Sequence, residues 1–297
     1  MRFTDLARQF TRHLVQRRGC SLATQDSYDR VYDQFAAYLA VQGEANDVRA
    51  FTPARLDGFT TWLAEKGISR NSIRHHLSVF SALAKWAMTQ PAPRGKGYLL
   101  DENPVARIER PKATPVKEKW LTLDELHAIL AVDGAPSDKL ALACVVDQPL
   151  RASEWCKANV GDLTLVGDQV AIEVTVKGGG RRKKVLGLKL AEALTASLRE
   201  REARPDEPLL LNASGRRFKR QTFSEVILRL ARRAGLGRPV RAHAIRHAIA
   251  SLAAHNKATV YEIAEMLNHR SLATAQRYIH GVSADKALDA VREAVWR

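Results

Sequence analysis

Helical apolar patterning runs along most of this 297-residue chain and breaks off over residues 90–119. Pro91, Pro93, Gly95, Gly97, Pro104, Pro111 and Pro115 fall in that stretch, with Lys and Arg scattered among them. Proline removes a backbone donor and clashes with the preceding turn, so no helix runs through it. The chain therefore reads as two lobes joined by a linker, residues 1–112 with the linker and residues 118–297. Its length is enough for a separate core in each.

The first lobe predicts four helices over residues 3–88. Leu6, Phe10 and Leu14 recur at four-residue steps, and Tyr28, Val31, Tyr32, Phe35 and Leu39 form a fuller stripe. Thr52-Pro53 supplies a cap and a first-turn proline ahead of Leu56, Phe59 and Leu63, and Gly67 supplies a stop. Ser69 then caps a helix carrying Ile73, Leu77, Phe80 and Ala84. Tyr28, Phe35, Trp62 and Trp86 keep helical spacing with these residues, which predicts core positions rather than base-stacking platforms. Arg70 and Arg74 fall off the stripe, as candidate phosphate contacts or an ordinary solvated face.

In the second lobe Thr122-Leu-Asp-Glu125 is a capping box ahead of Leu126, Ile129 and Leu130. Beyond Asp162 the period shortens to two: Val170, Ile172, Val174 and Val176 alternate as strand residues do, after a turn at Gly167-Asp168. Lys177-Gly178-Gly179-Gly180 and Arg181-Arg182-Lys183-Lys184 predict a flexible basic loop, with Val185, Leu186 and Leu188 as a returning strand. Helices resume around 194–198, 223–230, 244–254 and 260–267, the last behind a second capping box, Thr259-Val-Tyr-Glu262. The expected fold class is mainly α with a small antiparallel sheet in the C-terminal lobe.

Charge narrows the partner. The formal net charge is +15, and both lobes contribute: residues 1–112 carry 17 Lys and Arg against 11 Asp and Glu, the remainder 30 against 21. A single basic tail does not explain that balance, whereas a nucleic acid gripped by both lobes does. With 45% apolar and 27% charged residues the chain is globular rather than disordered. Cys20, Cys144 and Cys156 lack metal-ligand spacing and are odd in number, which suits reduced thiols. No stretch approaches the roughly 18 apolar residues of a membrane helix, and no signal peptide opens the chain, so a cytoplasmic protein is expected.

The residues that carry chemistry lie at 243–278, with one element upstream. They read His243-Ala-Ile-Arg246-His247, then Leu267-Asn268-His269, then Tyr278, after Leu150-Arg151-Ala-Ser-Glu154. Arg246 precedes His269 by 23 residues, and His269 precedes Tyr278 by 9. The ordered set resembles the catalytic signature of the tyrosine recombinases, the phage-integrase and Xer family of DNA strand-exchange enzymes. The resemblance covers nearly the whole chain, with residues 1–112 similar to the family's core-binding domain and residues 118–297 to its catalytic domain. It implies a two-domain, C-shaped clamp on double-stranded DNA and a synaptic tetramer. It also implies cleavage through a 3′-phosphotyrosyl bond without metal or ATP, and hence no cofactor.

By that resemblance Tyr278 is the nucleophile and Arg151 the first arginine, oriented by Glu154. His243 accepts the tyrosine's proton, Arg246 is the second arginine, and His269 bonds the phosphate. Lys177 matches the general acid for the leaving 5′ oxygen, with Lys183 or Lys184 as alternatives if the loop folds back. The chemistry suits these residue types. A tyrosine of pKa about 10 is about one part in a thousand ionised near pH 7, so it needs a base or nearby cations. Guanidinium stays charged and its fork matches two phosphate oxygens.

Two positions depart from the family pattern. Pro149 stands where a glycine is usual, and Asn268 replaces the glycine of Leu-Gly-His, a mild change because Asn tolerates the left-handed region. Arg70, Arg74, Arg181 and Arg182 are the candidate DNA contacts. The competing functions are a non-catalytic DNA-binding regulator of the same fold and a type IB topoisomerase. The chain opens directly on its first helix, which points to a simple Xer, resolvase or small-integrase type. Beyond Tyr278, Ser283 caps a predicted helix with Ala284, Ala287, Leu288, Val291 and Val295 on one narrow face. In the family such a helix reaches into a neighbouring subunit, so docking in trans is expected.

Overall fold

The computed structural model describes residues 1–92, 97–114, 121–176, 179–268, 272 and 284–296. The chain divides into two compact units, Met1–Lys117 and Glu118–Arg297.

In the first unit α1 (Phe3–Arg18), α2 (Leu22–Val41), α3 (Pro53–Glu65) and α4 (Arg70–Ala87) follow the apolar stripes. The hydroxyls of Ser21, Thr52 and Ser69 accept the N–H groups of Thr24, Arg55 and Ser72, so α2, α3 and α4 begin on side-chain caps. Phe3, Tyr32, Phe35, Phe59 and Phe80 are fully buried and meet at tilted or edge-on angles. Tyr28, Trp62 and Trp86 pack against this core. The expected linker is a different matter. Val105 is buried, Leu99, Leu100 and Ile108 pack on the same core, and Asn103 caps a 3₁₀ turn at Pro104–Arg107 while donating to Ser81 Oγ. Residues 97–114 are thus largely part of the first unit. Prolines forbid a helix there, but they do not relieve the apolar side chains between them of the need for burial.

The second unit opens with α5 (Leu123–Ala131), α6 (Pro136–Asp147) and α7 (Ala152–Lys157). α6 is buried almost all round and packs against α8, α9 and α10, so its pattern in sequence lacks a polar stripe. Strands β1 (Leu163–Val166), β2 (Gln169–Thr175) and β3 (Arg181–Val185) form an antiparallel sheet in the order β1-β2-β3. Here the structure corrects the sequence reading: Arg181, Arg182, Lys183 and Lys184 form the returning strand itself, and Leu188 begins the next helix, 75% exposed. Backbone pairing with β2 builds β3, while β2 supplies the buried Ala171, Ile172 and Val174. A charged edge strand also discourages pairing with other chains.

Helices α8 (Leu188–Glu200), α9 (Arg220–Arg233), α10 (Ala242–His255), α11 (Val260–Met266) and α12 (Ala284–Val295) follow. Within the one chain, α12 packs on its own unit. Leu288, Val291 and Val295 are buried in the core of their own unit, where α12 packs on α5, α10 and α11. His127 bonds the Ala294 carbonyl, Lys189 donates to the Trp296 carbonyl, and Arg292 pairs with buried Asp147. A helix this short needs a surface for its apolar face, and its own domain supplies one. Among the described residues no helix is long and apolar enough to cross a membrane.

Candidate active site

Three of the motif elements meet at one place. α6 ends at Asp147, and the chain turns through Gln148, Pro149 and Leu150 before Arg151 starts α7. Glu154, in the first turn of α7, accepts from the Arg151 backbone N–H at 2.7 Å and from its Nη1 at 2.8 Å. The Glu154 side chain is 3% exposed and that of Arg151 31%. A carboxylate that far from water needs a charged partner, and Arg151 is held by backbone and side chain at once.

Arg246 is 1% exposed on α10. Its two terminal nitrogens donate to the carbonyls of Pro149 and Leu267, so one guanidinium ties the turn before Arg151 to the end of α11. Pro149 loses its N–H but keeps this acceptor. Just beyond Leu267, Asn268 has φ of 49°, the left-handed conformation that the family's glycine would take without strain. His243 lies one turn before Arg246–His247 and is exposed, with its Nε2 at 2.9 Å from Nε2 of His247.

Arg151, His243 and Arg246 line one open cleft of about 650 Å³, together with Arg220 at the start of α9 and Arg241 just before α10. Arg220 and Arg241 were not singled out in the sequence. Each stands where an apolar helical run begins, and that position was the available signal. A larger cleft of about 720 Å³ between α6 and α8 contains none of the motif residues. Lys177, His269 and Tyr278 lie outside the described residues.

The sheet register separates the two alternative lysines. Lys184 pairs with Ile172 and shares its buried face, and its Nζ donates to the Glu265 carbonyl on α11 at 2.7 Å. Lys183 pairs with Glu173 on the other face, beside Arg181, which itself binds Glu173 and Asp162. Arg182 is exposed. In the first unit Arg70 is exposed, while Arg74 donates to the Pro111 carbonyl at 2.9 Å and so anchors the segment that follows the 3₁₀ turn. Burial raises the thiol of Cys156 to about 11 and lifts that of Cys144 well above its ordinary value, so neither is a ready nucleophile.

Residues 119–284 match the phage integrase family, and residues 7–91 match the phage integrase N-terminal SAM-like domain. Tyrosine recombinase XerD of Bifidobacterium longum is 28% identical over 296 residues, covering 94% of this chain and 93% of its own length. Tyrosine recombinase XerC of Xanthomonas campestris pv. campestris is 28% identical over 275 residues, covering 91% and 82%. Among solved structures, XerH recombinase bound to difH substrate superimposes with a TM-score of 0.69 at 21% identity, covering 94% of this chain and 81% of that one. A lambda integrase tetramer bound to a Holliday junction gives 0.73 at 19%, covering 94% and 77%. These two share the fold. With more than half its length matched by the family, this chain belongs to the phage integrase family.

Proposed function

We propose that this chain is a tyrosine site-specific recombinase that cuts and rejoins double-stranded DNA through a 3′-phosphotyrosyl bond. One observation carries the reading most: Arg151, His243 and Arg246, 95 residues apart at their extremes in sequence, line a single cleft with further arginines at its rim. The relatives named as tyrosine recombinases XerD and XerC support it.

Each residue has a role in that chemistry. The Tyr278 oxygen attacks the scissile phosphorus as His243 takes its proton. The bond to the 5′ oxygen breaks, and that oxygen takes a proton from Lys177, with Lys184 the better placed of the two alternatives. Arg151 and Arg246 neutralise the charge that builds on the phosphate, Glu154 holds Arg151 in place, and His269 adds a hydrogen bond. The phosphotyrosyl bond keeps the energy of the broken one, so rejoining needs no ATP. Preorganised cations do the work that a metal would otherwise do.

Residues 1–112 serve as the core-binding domain and residues 118–297 as the catalytic domain, each contacting DNA in the cytoplasm. Arg70, which is exposed, is a better phosphate contact than Arg74 and Arg181, which hold protein partners. Arg182 is exposed, with its side chain bonded only to the neighbouring Arg181 carbonyl among the described residues. Four subunits act on two sites, as the tetrameric lambda integrase relative suggests.

The test uses a nicked duplex carrying the site that the protein selects from a random-sequence library. Wild type should form a covalent adduct that survives denaturation and persists in EDTA, and Tyr278→Phe should bind equally but form none. An adduct in Tyr278→Phe would remove the nucleophile assignment. Wild-type binding without any adduct would point to a regulator instead, and relaxation of plasmids lacking the site to a topoisomerase.

A further inference from the structure

A second imidazole, His247, has no role in the chemistry above and lies against the cleft residue His243. His243 and His247 stand one turn apart on α10, with ring centroids 4.2 Å apart, planes inclined at 76° and Nε2 atoms 2.9 Å apart. At that distance one Nε2 carries a proton and the other accepts it, which two imidazolium rings cannot do. Among the described residues, the charged groups on the same cleft are Arg151 at the start of α7, Arg220 and Glu225 on α9, and Arg241 and Arg246 at the start of α10. Arg151 is also paired with Glu154. This surplus of cations opposes a second positive charge on the histidine pair.

We propose that His247 is a positioning residue for strand cleavage: it sets the tautomer of His243 and takes over the proton that His243 receives. The idea rests on the recombinase reading above. When His243 donates its Nε2–H to His247, its Nδ1 keeps a lone pair and acts as the base. The tyrosine O–H bond then breaks and Nδ1–H forms on His243, while the oxygen's electron pair attacks phosphorus. The Nε2–H bond of His243 breaks in the same step as Nε2–H forms on His247. The positive charge comes to rest on the half-buried second ring, one turn further along α10, and rejoining runs the same transfers backwards.

Single-turnover cleavage of the selected nicked duplex tests this in wild type, His247→Phe and His247→Gln, from about pH 6 to about pH 9. His247→Phe should slow cleavage about 10- to 100-fold at unchanged DNA affinity. Its acid limb should move to lower pH, because His243 alone among arginines takes up a proton less readily than the hydrogen-bonded pair. His247→Gln accepts the His243 N–H without being able to take the proton, so it should regain part of the rate and keep the shifted limb. On DNA with sulfur in place of the bridging 5′ oxygen, the leaving group needs no proton and the His247→Phe defect should persist. A wild-type rate and profile in His247→Phe would overturn the proposal, as would full rescue on the sulfur substrate.

Nitrogen-15 NMR of the histidine rings in the DNA-free protein reads the tautomer without any reaction. The His243 ring should be protonated at Nε2 in wild type and in His247→Gln, whose side-chain oxygen accepts that N–H, and mixed in His247→Phe. Ring shifts of His243 that ignore the His247→Phe substitution would overturn the pairing. Paired rings in a wild-type protein that forms no adduct on any DNA would instead remove the recombinase reading.

Discussion

Three of the four helices of the first unit begin differently from those that meet at the cleft. The fourth, α1, starts uncapped on Arg2 but has Asp5 in its first turn. α2, α3 and α4 start on Ser21, Thr52 and Ser69, whose hydroxyls satisfy backbone donors. α9 and α10 start on Lys219 and Arg241, with no side-chain cap and no acidic residue in the first turn. α7 starts on Arg151, with only Glu154 turned back to its backbone N–H. In the same unit, α5 and α11 begin with complete capping boxes at Thr122 and Thr259. α6 and α8 lack side-chain caps too, but Ala135 and Gly187 bring no cation to them.

A missing cap costs about 0.5–2 kcal/mol, and a cation at a helix N-terminus about 0.3–1 kcal/mol. The cleft thus concentrates unfilled N–H groups and positive charge where a phosphate would satisfy both. In the first unit α2, α3 and α4 use the same positions for stability.

The largest test of that contrast is at the buried arginine. Arg246→Lys and Arg151→Lys keep the charge and lose the fork, so cleavage should fall at least about a hundredfold in each. Only Arg246→Lys should also lower the urea midpoint, because it strips the carbonyls of Pro149 and Leu267 of donors, at about 1–3 kcal/mol each. Equal stability in the two variants would show that Arg246 does not hold the site together. Next in size is the terminal helix. Truncation after Val282 exposes the pockets of Leu288, Val291 and Val295, at about 1.5–3 kcal/mol for each side chain. A truncated monomer that unfolds at the wild-type denaturant concentration would mean that α12 is not docked on its own domain in solution.

The capping contrast itself is worth about 1 kcal/mol in each direction. Arg241→Ser should stabilise the protein while weakening DNA binding and lowering the log–log salt slope by about one unit. Ser69→Ala should destabilise it and leave single-turnover cleavage unchanged. A Ser69→Ala variant that cuts poorly, or an Arg241→Ser variant that binds normally, would break the comparison.

The smallest effect is a pH dependence in the first unit. Burial lowers the His76 pKa below its ordinary value, although its bond to the Ser72 carbonyl works the other way. With the folded pKa below the unfolded one, the unfolded chain binds the extra proton. The contribution is therefore complete above the unfolded pKa of about 6.5 and is lost as pH falls through the folded value. Thermal melting of wild type should drop more between pH about 7 and about 5 than that of His76→Gln. Parallel curves would show that His76 titrates alike in both states.

The amino-acid sequence by itself determined the parts of this protein that depend on near neighbours. Helix stripes and hydroxyl caps such as Thr52-Pro53 are settled within one or two turns, so α1 to α4 could be read directly. The set of Arg151, His243 and Arg246 was legible too, through its resemblance to the tyrosine-recombinase signature. Tertiary structure decided whatever depends on which surfaces meet. α6 has no polar stripe because helices surround it, so periodicity could not mark it. The Arg181–Val185 run reads as a loop until β2 offers its backbone and a buried face. Residues 97–114 look like a linker until Val105 and Ile108 find the first core. Local pattern also left open whether α12 buries its apolar face at home or on a neighbour, since hydrophobic burial rewards any matching surface. The same holds for the cleft, where Arg220 and Arg241 join the motif residues only once α7, α9 and α10 bring their starts together.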